Sequence, residues 1–358
     1  MKVLIPDHYP DGYLERMRAI SSEVDIVRLQ RSDGYYISRG LWWLFRNYLP
    51  YNIYRKCKPA LDRALQKNWY AVGKINEEKI FEEIEVMLYS AMLTPDILSE
   101  YLPKLRQLRW IHSTHTGIDH LFSSNRIKSD VIVTNIGHIN SRRVAEFVVA
   151  LVLYGAKNIA THDGLQRKKK WHGVSSKELG ETTLGILGLG SIGQQVARMA
   201  SSLNINVIAT KRNPIEMENV TVLPQDKYHE VLKVADYIAI TLPLTRDTEG
   251  MIGENELRMM KKKACLINVS RGKIIQEDAL LTALREKWIA GAYLDVFSDE
   301  PLTKNSPFYS LKNVLITHHS SYASQNSMIE IFDVFLENLR RYISGEPLLN
   351  VVSRERGY

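Results

Sequence analysis

Short apolar runs alternate with stretches of helical periodicity along nearly the whole chain, a pattern that predicts parallel α/β structure. The first run, KVLIP at residues 2–6, is β-branched, apolar and stopped by a Pro-Asp pair, and reads as a buried strand. Strands are also predicted at 86–89, 109–114 (RWIHST) and 131–135 (VIVTN). A helix is predicted over 94–102, with Thr94 as its N-cap and Pro95 just inside its start. From about 141 to about 159, Val144, Phe147, Val148, Leu151, Val152 and Gly155 follow the i, i+3, i+4, i+7, i+8 spacing of a long amphipathic helix.

After a polar stretch at 162–179, a second series begins. Its predicted strands lie at 183–188, 206–210, 235–242, 264–270, 291–296 and 314–317, with helical segments between most of them. Six short apolar strands with intervening helices describe a doubly wound parallel sheet. A last helix at 326–344 and the extended tail EPLLNVV follow that sheet and are expected to close back onto the first domain. The expected organisation is therefore a discontinuous first domain, 1–140 plus 320–358, and a second domain, 141–319. Residues 36–72 break the pattern with Trp42, Trp43, Phe45, Tyr48, Tyr51 and Tyr54 among basic residues, interrupted by Pro50. This stretch reads either as a helical insertion packed on the first domain or as an oligomer or partner surface, since such aromatics are enriched at interfaces.

Composition narrows the class. The chain has 358 residues, 45% hydrophobic and 24% charged, enough for two globular domains. Two cysteines, Cys57 and Cys265, exclude a disulfide scaffold and a cysteine-based zinc site, and no metal centre is expected. The N-terminus lacks the apolar segment of a signal peptide, and the longest apolar run, 147–154, falls far short of the ~20 residues needed to span a bilayer. A cytoplasmic location without a membrane partner is the expectation. The net charge of +7 reads as solvated lysines: the clusters at 167–170 and 261–263 are too short for basic tails, so no nucleic-acid partner is expected.

The segment LGILGLGSIG carries the chemistry of the second domain. Gly188, Gly190 and Gly193 form a GxGxxG around Ser191 and Ile192, after a predicted strand and opening a predicted helix with apolar positions Ile192, Val196, Met199, Ala200 and Leu203. That context reads as a dinucleotide site. Gly188 permits the tight turn, Gly190 the approach of a pyrophosphate and Gly193 close helix–strand packing, while the helix N-terminus offers unpaired N–H groups. At the end of the next strand an acid would bind the ribose hydroxyls of NAD. Here the chain reads Thr210-Lys211-Arg212-Asn213, with no carboxylate. The two cations suit a 2′-phosphate, so NADP(H) is favoured, with NAD(H) as the alternative.

Three further segments, Asn268-Val269-Ser270-Arg271-Gly272, Leu294-Asp295-Val296 running to Glu300-Pro301, and Thr317-His318-His319, each fall at the C-terminal end of a predicted strand, where open α/β sheets bind ligands. Singly, Arg271 reads equally as a salt-bridge residue, Glu300 as a surface acid and His319 as a cap. Together with the glycine loop, and with Thr114-His115-Thr116-Gly117-Ile118-Asp119, Val133-Thr134-Asn135, Val144-Ala145-Glu146, Leu242-Pro243-Leu244 and GEPLLNVV, they resemble the D-isomer-specific 2-hydroxyacid dehydrogenase family over nearly the whole chain. Only 36–72 looks foreign to it.

The resemblance implies two Rossmann-like or flavodoxin-like domains with the active site in the cleft between them, and hydride transfer between a nicotinamide cofactor and a small 2-oxo or D-2-hydroxy acid. It implies that Arg271 pairs with the substrate carboxylate and polarises the 2-oxo group, and that His319 is the general acid in reduction. Glu300 would bond the imidazole and fix its tautomer. Asp295 would hold the nicotinamide carboxamide, and Leu242, Pro243, Val269, Ser270 and Ser321 would line the dinucleotide. Backbone N–H groups near Thr116 and Gly117 would bind the substrate carboxylate, with Thr116 also touching the cofactor. Ser90 and Tyr322 complete the implied substrate set, and a homodimer is the implied assembly. The chain departs from the pattern where His318 replaces the usual Pro before the general acid, where Tyr322 replaces a small residue, and where Tyr89-Ser90 replaces the Arg-Ser of phosphoglycerate enzymes, which argues against a phosphorylated substrate. Glu300 in place of Gln argues against a formate dehydrogenase. A dinucleotide-sensing, corepressor-like binding protein is the alternative on the same fold.

Overall fold

The computed structural model describes residues 1–6, 9–31, 70–71, 77–90, 101–118, 121 and 127–354, which form two compact units, Met1–Ile139 with Gln325–Tyr358 and Asn140–Ser324. In the first unit the strands β1 (Lys2–Pro6), β2 (Asp25–Arg31), β3 (Tyr70–Ala71), β4 (Ile84–Tyr89), β5 (Trp110–Ser113) and β6 (Ile132–Thr134) form one sheet in the order β3-β2-β1-β4-β5-β6. All neighbours are parallel except β2 and β3. The helices α1 (Asp11–Arg18) and α2 (Glu77–Glu82) belong to the same unit.

The second unit is a seven-stranded parallel sheet. Its strands are β7 (Thr183–Leu187), β8 (Asn206–Lys211), β9 (Val220–Pro224), β10 (Tyr237–Ile240), β11 (Cys265–Asn268), β12 (Gly291–Leu294) and β13 (Val314–Ile316), in the order β13-β12-β11-β10-β7-β8-β9. The strand order reverses between β7 and β10, so the loops leaving these two strands flank a switch point, the usual ligand crevice of such sheets. The helices α3 (Ser141–Ala156), α4 (Ile159–Arg167), α5 (Ser191–Ser202), α6 (Tyr228–Val234), α7 (Glu254–Met259) and α8 (Glu277–Arg285) accompany it. Val148, Val152, Val196 and Ala200 pack on one face of the sheet, and Leu232, Leu257, Leu280 and Leu284 on the other. Burial on both faces explains why the central strands read as continuous apolar runs.

The last helix, α9 (Ser327–Ile343), buries Phe332, Phe335 and Leu339 against Val3, Ile5, Val86, Leu88 and Trp110 of the first unit. Asn338, wholly buried, donates from Nδ2 to the Leu349 carbonyl and accepts from the Leu349 amide, which turns the tail back. Val352 N then donates to Val133 O.

Several elements differ from the expectation. Residues 320–324 belong with the second unit, because the Ser320 and Ser321 amides donate to the Asp295 carboxylate. The polar stretch after α3 contains α4, a helix with no buried residue and hence no apolar face for a pattern to show. The strands β2 and β9 were not expected: β9 is nowhere fully buried and β2 carries two arginines. The predicted helix at 94–102 and the aromatic stretch 36–72 fall largely outside the described residues. Among the described residues no single helix is long and apolar enough to cross a membrane.

Candidate active site

The glycine loop leaves β7 and opens α5. Gly188 has φ +103°, a conformation that L side chains avoid, and a Cβ on Gly193 would stand 2.4 Å from the Gly188 carbonyl oxygen. A Cβ on Gly190 would meet nothing within 4 Å, so the backbone there faces open space. The first intrahelical bond runs from Gln194 N to Gly190 O, leaving the amides of Ser191, Ile192 and Gly193 outside the ladder. An open approach and free donors at a helix N-terminus fit a dinucleotide pyrophosphate.

The end of β8 supports this loop. Thr210, 1% exposed, accepts from Gly188 N at its hydroxyl (3.3 Å) and from Leu189 N at its carbonyl (2.7 Å). Lys211 donates from Nζ to Leu189 O at 2.8 Å. Arg212 is exposed and has no hydrogen-bond or ion-pair partner among the described residues. Across the switch point, Thr241 Oγ1 donates to Gly188 O at 2.7 Å, and buried Leu242 packs beside Gly188.

The segment after β11 presents Arg271. Asn268, wholly buried, accepts from Ser270 N (3.1 Å) and donates to Arg271 O (2.9 Å), closing a tight reversal. The Ser270 hydroxyl donates to Leu242 O, Val269 is buried, and Arg271 Nη1 donates to Ser270 O at 2.8 Å. Gly272 then crosses the Phe297–Ser298 backbone so closely that a Cβ would lie 1.9 Å from the Phe297 carbonyl carbon. This crossing holds the Arg271 segment against the segment that carries Glu300.

Glu300 Oε1 accepts from Phe297 N at 2.8 Å, and its Oε2 accepts from His319 Nδ1 at 2.7 Å. With Nδ1 held by the carboxylate, Nε2 is the imidazole nitrogen left to exchange a proton. The His319 side chain is 39% exposed, and its ring lies edge-on to Tyr322 with centroids 6.4 Å apart. His319 itself has φ +54°, unusual for a residue with a side chain. Asp295 fixes that conformation: its carbonyl accepts from His319 N at 2.8 Å, and its carboxylate accepts from Thr317 Oγ1 (2.6 Å), Ser320 N (2.9 Å) and Ser321 N (3.0 Å). Burial alone would raise the Asp295 carboxyl, but the hydrogen bonds from Ser321, Thr317 and Ser320 prevail and hold it below the ordinary carboxylate range.

In the first unit, Ser90 follows β4 and Thr116 and Gly117 follow β5, all just beyond the C-terminal ends of parallel strands. Asn135 pins this loop by donating to Thr116 O (3.1 Å) and accepting from Gly137 N (2.8 Å), and Thr116 Oγ1 donates to Gly137 O.

Residues 149–321 match the family model described as D-isomer specific 2-hydroxyacid dehydrogenase, NAD binding domain. A glyoxylate reductase from Korarchaeum cryptofilum is 34% identical over 275 residues, covering 74% of this chain and 82% of the relative. A glyoxylate reductase from Aeropyrum pernix is 34% identical over 274 residues with the same coverage. The chain belongs to the D-isomer-specific 2-hydroxyacid dehydrogenase family. Among solved structures, a family member from Xanthobacter autotrophicus Py2, in complex with NADPH and MES, superposes with a TM-score of 0.76 at 26% identity, covering 100% of this chain and 99% of that one. This dehydrogenase is accordingly an NAD(P)-dependent oxidoreductase of small 2-oxo acids.

Within the second unit of the dehydrogenase, Arg271, Glu300, His319, Asp295 and the glycine loop all stand at the C-terminal edge of one sheet. Sequence reasoning missed Asn135, Thr241, Asn268 and the crossing at Gly272 as supporting residues. Asn268 and Asn135 were discoverable, since an Asn near the end of a predicted strand is a frequent side-chain-to-backbone turn former.

Proposed function

We propose that the enzyme reduces glyoxylate and similarly short 2-oxo acids to the D-2-hydroxy acids, with NADPH preferred to NADH. The observation that carries this reading is the His319–Glu300 pair at 2.7 Å, in the same unit and at the same sheet edge as Arg271. The bound nicotinamide cofactor supplies the hydride. Arg271 pairs with the substrate carboxylate through its planar fork and draws electron density toward the 2-oxo oxygen. His319 gives its Nε2 proton to that oxygen as negative charge develops there, while Glu300 stabilises the charged imidazole. Tyr322, a bulky ring edge-on to His319, supports a short substrate.

The preference for NADPH is supported by the lack of an acid at the end of β8, where one would serve NAD, and by Arg212 just beyond it. One charge-assisted bond to a 2′-phosphate is worth ~1.5–3 kcal/mol, or roughly ten- to hundredfold. A cytoplasmic homodimer, without nucleic-acid or membrane partners, completes the proposal. Trp171 is fully exposed beyond α4, which itself buries nothing, and such an aromatic suits a second copy.

A panel of 2-oxo acids assayed with NADPH and NADH tests the reading. Glyoxylate turnover with kcat/KM for NADPH at least about tenfold above NADH is expected. Dinucleotide binding without turnover of any 2-oxo acid would favour the corepressor-like alternative, and equal use of both cofactors would remove the NADPH preference.

A further inference from the structure

Lys211 and Arg212 follow one another at the end of β8, yet their side chains are differently placed. The Lys211 ammonium is held 2.8 Å from the Leu189 carbonyl oxygen, whereas Arg212 is exposed and without a partner among the described residues. The peptide units on both sides of Leu189 are consequently held by two successive residues of the neighbouring strand, the Leu189 N–H by Thr210 O and the Leu189 carbonyl by Lys211 Nζ.

That peptide sits where the loop most needs restraint. The residues on either side are Gly188 and Gly190, neither of which has a Cβ to limit rotation. The Leu189–Gly190 peptide unit has three hydrogen bonds: Gly190 N donates to Gly188 O at 2.9 Å, and Leu189 O accepts from Lys211 at 2.8 Å and, through a longer and weaker contact, from Gln194 Nε2 at 3.5 Å. Without the ammonium, the carbonyl can rotate toward the open space beside Gly190, the side from which a phosphate approaches. A carbonyl oxygen there repels an anion, and the rotation disturbs the turn that delivers the free amides of Ser191, Ile192 and Gly193. The ammonium is bonded to a neutral carbonyl and not to a carboxylate, so no counter-charge there offsets its attraction for a pyrophosphate beside the loop.

We propose that Lys211 is a positioning residue for the pyrophosphate loop, acting on NADH and NADPH alike, and that Arg212 alone discriminates the 2′-phosphate. Arg212 needs to break no bond among the described residues to reach a phosphate, and its planar guanidinium suits one. The assignment of Lys211 rests on reading the loop as the dinucleotide site; that of Arg212 rests also on the preference for NADPH.

Lys211→Met, Lys211→Arg and Arg212→Ala are compared with the wild type by fluorescence titration of NADPH and NADH and by steady-state KM and kcat for each cofactor. Lys211→Met is expected to weaken both cofactors by about tenfold, equally within about twofold, with the change in KM rather than kcat. Lys211→Arg, which restores a charged donor, is expected to recover most of the NADH affinity, a result that a general loss of folding would not give. Arg212→Ala is expected to weaken NADPH at least about tenfold and NADH less than about twofold. A loss on Lys211→Met confined to NADPH would make Lys211 a phosphate ligand and overturn the proposal. So would unchanged affinity for both cofactors. A wild type that prefers NADH would sink the NADPH reading, and the Arg212 assignment with it, while the Lys211 assignment is still read with NADH. A wild type that binds neither dinucleotide would overturn the cofactor reading itself.

Discussion

Replacing Gly272 by alanine tests how the reactive groups of the second unit are held together. The ideal Cβ would lie 1.9 Å from the Phe297 carbonyl carbon, 2.2 Å from Ser298 N and 2.4 Å from Phe297 O, all backbone atoms that no rotamer change can move. Ordinary contact begins near 3.4 Å, so the chain leaving β11 and the chain leaving β12 must separate by roughly 1.5 Å (3.4 minus 1.9). Overpacking typically costs about 1–3 kcal/mol, and a backbone-on-backbone clash belongs at the upper end of that range. For a unit of this size, at about 2–4 °C per kcal/mol, the melting temperature should fall by about 6–12 °C.

The same displacement separates Arg271, one residue upstream, from the segment in which Glu300 holds Phe297 N and His319. Misplacement on the order of 1 Å costs about a hundredfold, so kcat/KM for glyoxylate should drop by about that factor. Gly190→Ala is the control. Its Cβ meets nothing, so the melting temperature without cofactor should stay within about 1 °C while dinucleotide affinity falls, because the methyl fills the open approach. If Gly272→Ala melts within about 1 °C of the wild type and keeps kcat/KM within about twofold, the crossing does not hold the site and the reasoning is wrong.

Three other outcomes are expected. His319→Ala should lose on the order of 10²–10⁴ in kcat and His318→Ala only a few-fold, and the reverse order in a turnover assay would move the proton donor to His318. Arg271→Ala should raise the substrate KM and lower kcat together, since it acts on both the carboxylate and the developing oxyanion; a change in KM alone would restrict it to binding. Asp295 is held below its ordinary range in the folded protein, so its stabilisation is complete above the unfolded carboxylate pKa near 3.9 and fades as pH falls through the lower folded value. Asp295→Asn should therefore lower the melting temperature at pH 7 and flatten its decline below about pH 4, and a variant whose melting curve tracks the wild type at every pH would refute this.

Much of the second unit was legible because its strands are buried on both faces. LGIL at β7, IAI at β10 and CLI at β11 present no polar interruption, and each is followed by a turn or helix signal. β9 was illegible for the opposite reason. It lies at the sheet edge with no fully buried position, so VTVLP between polar residues resembles a loop. DIVRLQR at β2 carries Arg28, whose charge is carried to the surface by its pair with Asp11, 2.6 Å away. α4 has no buried side chain, so no periodicity marks it.

The site shows a sharper division, between residues that carry chemistry and residues that carry geometry. A sequence places Thr210, Lys211, Asp295 and Asn268 on the ligand-binding edge of the sheet beside Arg212 and His319, and motif position gives all but Asn268 a ligand to touch. The structure separates them by what their polar atoms already hold. Thr210 and Asn268 are buried and bonded to the backbone of the turns beside them, and the Asp295 carboxylate accepts from three neighbours at 1% exposure. Arg212 and His319 stay at the surface, the first without a partner among the described residues and the second with one ring nitrogen fixed by Glu300. A buried polar atom is stable only when it is bonded, and a bonded atom gains little from a ligand. The partners that bury Asp295 lie 22 to 26 residues away in sequence, beyond the reach of any local pattern. Motif position thus indicates which edge of the sheet carries the polar residues, and the long-range bonds show which of their polar atoms the protein itself already holds.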